Sequence, residues 1–251
     1  MEGDILILIT KNITNENKSK MQIHDNTSES VRLGVLLAIV GGFLDAYTFI
    51  CRGGVFANAQ TGNIVLVGIE ATKGNFTQAY MAFLPILAFI IGIIVTEKIK
   101  DLKFPSFTSV TYSERVILLI EIIVLFIIGF IPTTIPHAFV TIPISFVSSV
   151  QIASFGKLID SPYSTTMCTG NLRSASQAAY KAFAKKDSTS AIKTIRYAIV
   201  IFSFIAGACL AGILTPLIGI KSIWFAVIIL ILCLGLFSID DYILNKSHER
   251  K

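Results

Sequence analysis

Six stretches of this chain run for 18 to 24 residues with at most one charged side chain each. They are Leu33 to Cys51 (holding Asp45), Thr77 to Thr96, Val116 to Ile135 (holding Glu121), Ala138 to Phe155, Tyr197 to Ile220 and Ser222 to Ile239. A helix needs about 20 mostly apolar residues to cross the ~30 Å hydrocarbon core of a bilayer. Only helices and closed barrels satisfy their backbone polar groups there. Of the 251 residues, 15% are charged and 53% hydrophobic, too few charges to coat a soluble domain of this length. The expectation is an all-α integral membrane protein of the cell membrane.

Two segments between these runs are too polar for lipid-facing helices. Phe56-Ala57-Asn58-Ala59-Gln60-Thr61-Gly62-Asn63 and Ser164-Thr165-Thr166-Met167-Cys168-Thr169-Gly170-Asn171 both carry Thr-Gly-Asn. The echo extends outward. Asp45-x-x-x-Phe49 matches Gln151-x-x-x-Phe155 ahead of the tripeptides, and Phe89-x-x-Gly92 matches Phe204-x-x-Gly207 behind them. Each copy reads as span, polar segment, span, with one more span after it, the weak internal symmetry typical of transporter folds.

Positive charge sets the direction of the copies. If both polar segments enter the membrane and return to the same side, 18 of the 21 Lys and Arg residues fall on the cytoplasmic side. If both cross fully, seven lie outside and Arg173 is left in the membrane. The sequence therefore predicts six full spans plus two re-entrant or broken helical segments, arranged as an inverted repeat with both termini cytoplasmic. The predicted boundaries are a disordered tail over 1–30, one transmembrane domain over 31–240 (repeats about 31–135 and 136–240), and a charged tail over 241–251. Two half-helices entering from opposite faces would bring their N-terminal ends together. Those ends carry free N–H donors and partial positive charge, which suits a polar or anionic group.

Gly42-Phe43-Leu44-Asp45-Ala46, followed by Phe56 to Asn63, resembles the YoaK-type bacterial membrane proteins, a family known mainly as a domain of unknown function. The resemblance covers about residues 31 to 240. It implies a bacterial multi-span protein and no established activity. The second copy departs from the family pattern in having Gln151-Ile152-Ala153.

Candidate site residues follow from polarity at membrane depth. Asp45 is expected as an ion ligand or proton carrier, against a helix-to-helix hydrogen bond with Arg52 or the Gly-rich break. Thr61, Asn63, Thr169 and Asn171 are expected either to line a pathway or to cap helices, with Gln60 and Asn58 as secondary lining candidates and Gly62 and Gly170 as helix breaks. Gln151 occupies the second-copy position of Asp45, with Thr141, Ser145 and Ser148 on the same helix side. Glu121 is expected to reach the interface. Arg173 reads as a topology charge.

Other classes find little support. The net charge of +5 sits in loops, as a topology signal and not a nucleic-acid footprint. Cys51, Cys168, Cys209 and Cys233 form no Cys-x-x-Cys pair, and His24, His137 and His248 form no ligand pattern, so no metal is expected. Ile5 to Thr10 is too short for a signal-peptide core. No nucleotide, dinucleotide or hydrolase motif is present, so neither cofactor nor enzyme is expected. The leading expectation is a secondary transporter or channel for a small polar solute or ion. The alternative is a non-transporting scaffold or partner subunit. The partners expected are the lipid bilayer and the solute, with homo-oligomers left open.

Overall fold

The computed structural model describes residues 31–101, 110–155, 157–158, 161–162 and 168–248. Its helices are α1 (Val31–Cys51), α2 (Gln60–Thr72), α3 (Phe76–Asp101), α4 (Val110–Ile128), α5 (Ala138–Ser154), α6 (Cys168–Lys185), α7 (Ser188–Ile218) and α8 (Trp224–His248). A 3-10 turn, Gly219–Ile223, joins the last two. The all-helical expectation holds apart from one hairpin: β1 (Lys157–Leu158) and β2 (Ser161–Pro162) pair antiparallel between α5 and α6. Helix α8 continues through His248, so the charged segment from 241 begins as helix. The predicted tail over 1–30, part of the connector after α3 and the residues just before the second Thr-Gly-Asn lie outside the described residues.

Among the described residues, three stretches can cross a membrane by length and composition: Val31–Cys51, Phe76–Asp101 and the 50-residue run Ser188–Phe237. Ala138–Ser154 is a shorter apolar helix. Large apolar side chains face outward along the long helices, among them Ile91, Ile94, Phe202, Ile213 and Leu232. In water such a surface would aggregate; facing acyl chains it carries no penalty.

Hydrogen bonds and ring contacts fix which helix ends meet. At one end, the Tyr47 hydroxyl donates to the Ile220 carbonyl (3.1 Å). The Gln78 amide there donates to Gly53 O (2.7 Å), and Trp224 Nε1 to Phe126 O (3.1 Å). At the other end, Lys100 Nζ donates to Ala153 O (2.9 Å) and an Arg115 guanidinium nitrogen to Phe237 O (2.7 Å). The Phe155 and Phe237 rings also meet there. The C-terminus of α1 and the N-terminus of α5 therefore share the first end, and the N-terminus of α4 and the C-terminus of α5 share the second.

Helix α1 packs along α7 and α8, α3 along α2 and α5, α6 along α7, and α4 against α5 and α8. Lipid supplies no hydrophobic drive between helices, so close backbone approach does that work, and small residues permit it. A Cβ on Gly207 would lie 2.0 Å from the Ile39 carbonyl oxygen, and one on Gly42 would lie 2.0 Å from that of Phe204. Gly92 of α3 meets Ser149 and Phe146 of α5 in the same way. The main core lies between α1, α4, α5 and α8, built on Leu37, Phe43, Leu118, Leu125, Ile144 and Leu230.

Asp187 caps α7: its side chain accepts from Thr189 N (3.0 Å) and from the Ser190 hydroxyl (2.6 Å). The Ser190 bond, with the Thr189 and Ser190 amides behind it, holds this carboxyl below the usual range. Its stabilising contribution is therefore present above the ordinary carboxylate pKa and is lost as pH falls through the lowered value. Asp187→Ala is expected to speed amide exchange at Thr189 and Ser190 at neutral pH. Wild type should reach similar exchange only in acid, once pH-dependent intrinsic rates are divided out.

Candidate functional site

Asp45 lies in the C-terminal half of α1, 4% exposed. Its Oδ1 accepts from the backbone N–H of Asn58 (2.6 Å) and Ala59 (3.2 Å). These donors open α2, whose N-cap residue, Ala59, makes no side-chain cap hydrogen bond. The first N–H groups of a helix have no partner within it. A carboxylate from another helix supplies one, placed at the positive end of the α2 dipole. Neither structural partner foreseen for Asp45, Arg52 or the Gly-rich break, is the one it meets; its bonds go to Asn58 and Ala59. The Arg52 guanidinium instead donates to the Tyr47 hydroxyl (3.0 Å) and to the Ile131 (2.7 Å) and Pro132 (3.4 Å) carbonyls. Arg52 is fully buried, so it is no loop-surface charge.

The chain turns into α2 through Gly53 and Gly54, both at positive φ (89° and 73°), a region that favours glycine. The turn is thus made eight residues before Gly62, which lies within the first turn of α2. Gly62 serves packing: a Cβ there would meet the Phe56 ring at 2.7 Å. Asn63 is buried and clips the same residue. It accepts from Phe56 N (2.8 Å) and donates to Phe56 O (2.7 Å) and Gln60 Oε1 (2.8 Å). Gln60 donates in turn to the Ser145 hydroxyl (2.9 Å), which donates to Pro85 O (2.8 Å). One polar chain thus ties the start of α2 to the middles of α3 and α5.

In the second copy, α6 begins at Cys168, and Thr169 and Gly170 are exposed in its first turn. Gly170 is helical, so it too is no break. Asn171 is buried. Gln151 is buried away from this region, where its amide donates to Glu121 Oε2 (2.8 Å). Glu121 is itself fully buried, contrary to the expectation that it would reach the interface. The core of α4, α5 and α8 closes over it. Thr141, Ser145 and Ser148 are buried on the same helix as Gln151, and the Thr141 and Ser148 hydroxyls have no hydrogen-bond partner among the described residues. Arg173 is exposed on α6.

A cavity of about 580 Å³ lies between the starts of α2 and α6. Asp45, Asn58, Gln60, Thr61, Thr169 and Gly170 line it; Asn63, Gln151, Asn171 and Gly62 do not. Asp45 Oδ2 and Asn58 Oδ1 are buried with no hydrogen-bond partner among the described residues. Much of the wall is phenylalanine, from Phe49, Phe56, Phe89 and Phe204. Sequence reasoning did not single these out as site residues, although Phe89 and Phe204 are the aligned positions of Phe-x-x-Gly. That match is the signal that could have found them.

Comparison with known proteins agrees with a membrane setting. The chain is 26% identical over 204 residues to UPF0700 transmembrane protein YoaK of Bacillus subtilis (strain 168), covering 78% of this chain and 88% of that protein. No solved structure matches. Membrane residence fits both this relative and the three apolar stretches long enough to cross. A family model matches residues 33–236, and the chain belongs to that family, described as protein of unknown function (DUF1275).

Proposed function

We propose that this protein is a secondary transporter or channel for a small polar solute, held near the bilayer midplane between the two Thr-Gly-Asn segments. The observation that carries the reading is the cavity where the N-terminal ends of α2 and α6 meet beside Asp45, whose Oδ2 has no partner among the described residues. A buried ionisable group on a membrane helix costs several kcal/mol by common estimates (~3) and is retained for a task.

The inverted arrangement gains support from the contacts. Exchanging α1–α4 for α5–α8 leaves the helix neighbours unchanged: α1 with α7 becomes α5 with α3, α2 with α3 becomes α6 with α7, and α4 with α8 is its own counterpart. The end contacts give α1 and α5 opposite directions. Helix α2 runs from the cavity toward the end holding Gly53 and Gln78. Helix α6 runs toward the end where α7 begins. These contacts support six spans and two half-helices. The end holding the starts of α1, α4 and α7 is assigned to the cytoplasm, because 18 of the 21 basic residues belong there. A solute gradient or coupled ion drives flux, with the bilayer as partner and no catalytic step.

The test is uptake by liposomes of a panel of small cations, anions and neutral polar solutes, comparing wild type with Asp45→Asn. Asparagine keeps an oxygen for the Asn58 and Ala59 amides, so folding is preserved. Flux of at least one solute is expected, falling about tenfold or more in the variant, the worth of one charge-assisted bond of about 1.5–3 kcal/mol. No flux across the panel, or equal flux in both proteins, overturns the reading.

A further inference from the structure

Resting on that reading, we infer that the cavity takes an organic cation: a monocationic centre carrying an apolar or aromatic body. Asp45 is the sole side chain of fixed charge type in the described lining, and no Lys, Arg or His faces the cavity. The nearest basic residue in sequence, Arg52, is committed to Tyr47, Ile131 and Pro132. The α2 N-terminus, which would otherwise attract an anion, is already answered by Asp45 Oδ1. An anion entering here would meet that carboxylate with no cation to offset it. A cation would meet Oδ2, the oxygen left without a partner among the described residues.

The wall supplies the second half of the argument. Small hydrated cations need several oxygen ligands in a shell; beside the Asp45 carboxylate this cavity offers oxygens of Asn58, Thr61 and Thr169, but its wall is mostly apolar, with four phenylalanines, and suits an apolar body. Aromatic faces attract cationic centres and bury apolar substituents together. Phe49 and Phe56 stack with ring centroids 5.0 Å apart, and Phe89 and Phe204 come from the two aligned motifs. The volume lies within the ~300–1,000 Å³ range of small-molecule pockets.

The probes are tetraphenylphosphonium and tetraphenylborate, equal in shape and opposite in charge. Each is titrated against the full chain in detergent, with protein-free micelles subtracted. Tetraphenylphosphonium is expected to bind wild type, and at least about 30-fold more weakly to Asp45→Asn, as removal of a buried charge partner requires. Thr61→Lys, at a lining position outside the Asp45 backbone bonds, is expected to abolish binding by placing an ammonium in the cavity. Tetraphenylborate is expected not to bind. Binding of the anion as tight as the cation, no cation binding to wild type, or cation binding unchanged in both variants overturns the assignment. Should it fall while liposome flux of another solute still depends on Asp45, only the solute class is wrong. If that flux is absent too, the transport reading falls with it.

Discussion

Gly207→Leu is expected to prevent assembly of the folded protein. The Cβ alone would lie 2.0 Å from the Ile39 carbonyl oxygen and within 3 Å of two further backbone atoms of α1. No side-chain rotamer relieves a clash with backbone, so α1 and α7 must separate. Overpacking costs about 1–3 kcal/mol where side chains can yield and more where they cannot. Separation would also expose the Ala38, Tyr197 and Val200 cluster and the paired contact at Gly42. Purified in detergent, the variant should elute as aggregate and show no cooperative thermal transition. Gly212→Leu is the control on the same helix, since a Cβ there meets nothing within 4 Å. It should stay within about 0.5 kcal/mol of wild type. Equal behaviour of the two variants would remove close α1–α7 approach as the organising contact.

Arg52→Met should produce the next largest loss. Arg52 is fully buried, and its guanidinium satisfies the Ile131 and Pro132 carbonyls and the Tyr47 hydroxyl together. Methionine fills much of the space and leaves the Ile131 carbonyl and the Tyr47 hydroxyl without this donor, while the Pro132 carbonyl keeps the Ile135 amide (3.3 Å). Each orphaned buried group costs about 1–3 kcal/mol, so about 3 kcal/mol in total is a conservative figure. An apparent Tm about 10 °C lower follows for a chain of this size. Arg52→Lys keeps the charge but not the planar fork, and should recover only part of that loss. A Tm for Arg52→Met within about 2 °C of wild type would show that water replaces the guanidinium at this end of the bundle.

Much of this arrangement was legible in the residues, and the illegible parts share a physical cause. Apolar runs near 20 residues long announced the long helices, because in lipid the backbone has few other options. The paired tripeptides located the two short helices, and Phe-x-x-Gly marked α3 and α7. Partner choice was not legible. Nothing local tells that Asp45 caps a helix 15 residues further on, that Gln151 finds Glu121, or that Arg52 turns toward the end of α4. Asn63 looked like pathway lining because polarity at depth has two uses, solvating a solute and satisfying the backbone. Only its bonds to Phe56 separate them. Gly62 and Gly170 looked like breaks because glycine signals both unusual dihedrals and close packing. The positive φ values fell instead on Gly53 and Gly54.

The criss-crossed pairing of first and third helices has a consequence for biosynthesis. Tyr47 reaches Ile220, 173 positions later, and the groove at Gly42 waits for Phe204. While the ribosome is still making the second half, α1 sits in the bilayer without its main neighbour, and α3 waits likewise for α5. Neither half can mature alone, so nascent chains must be shielded until the last third emerges, and separately expressed halves should accumulate only when made together.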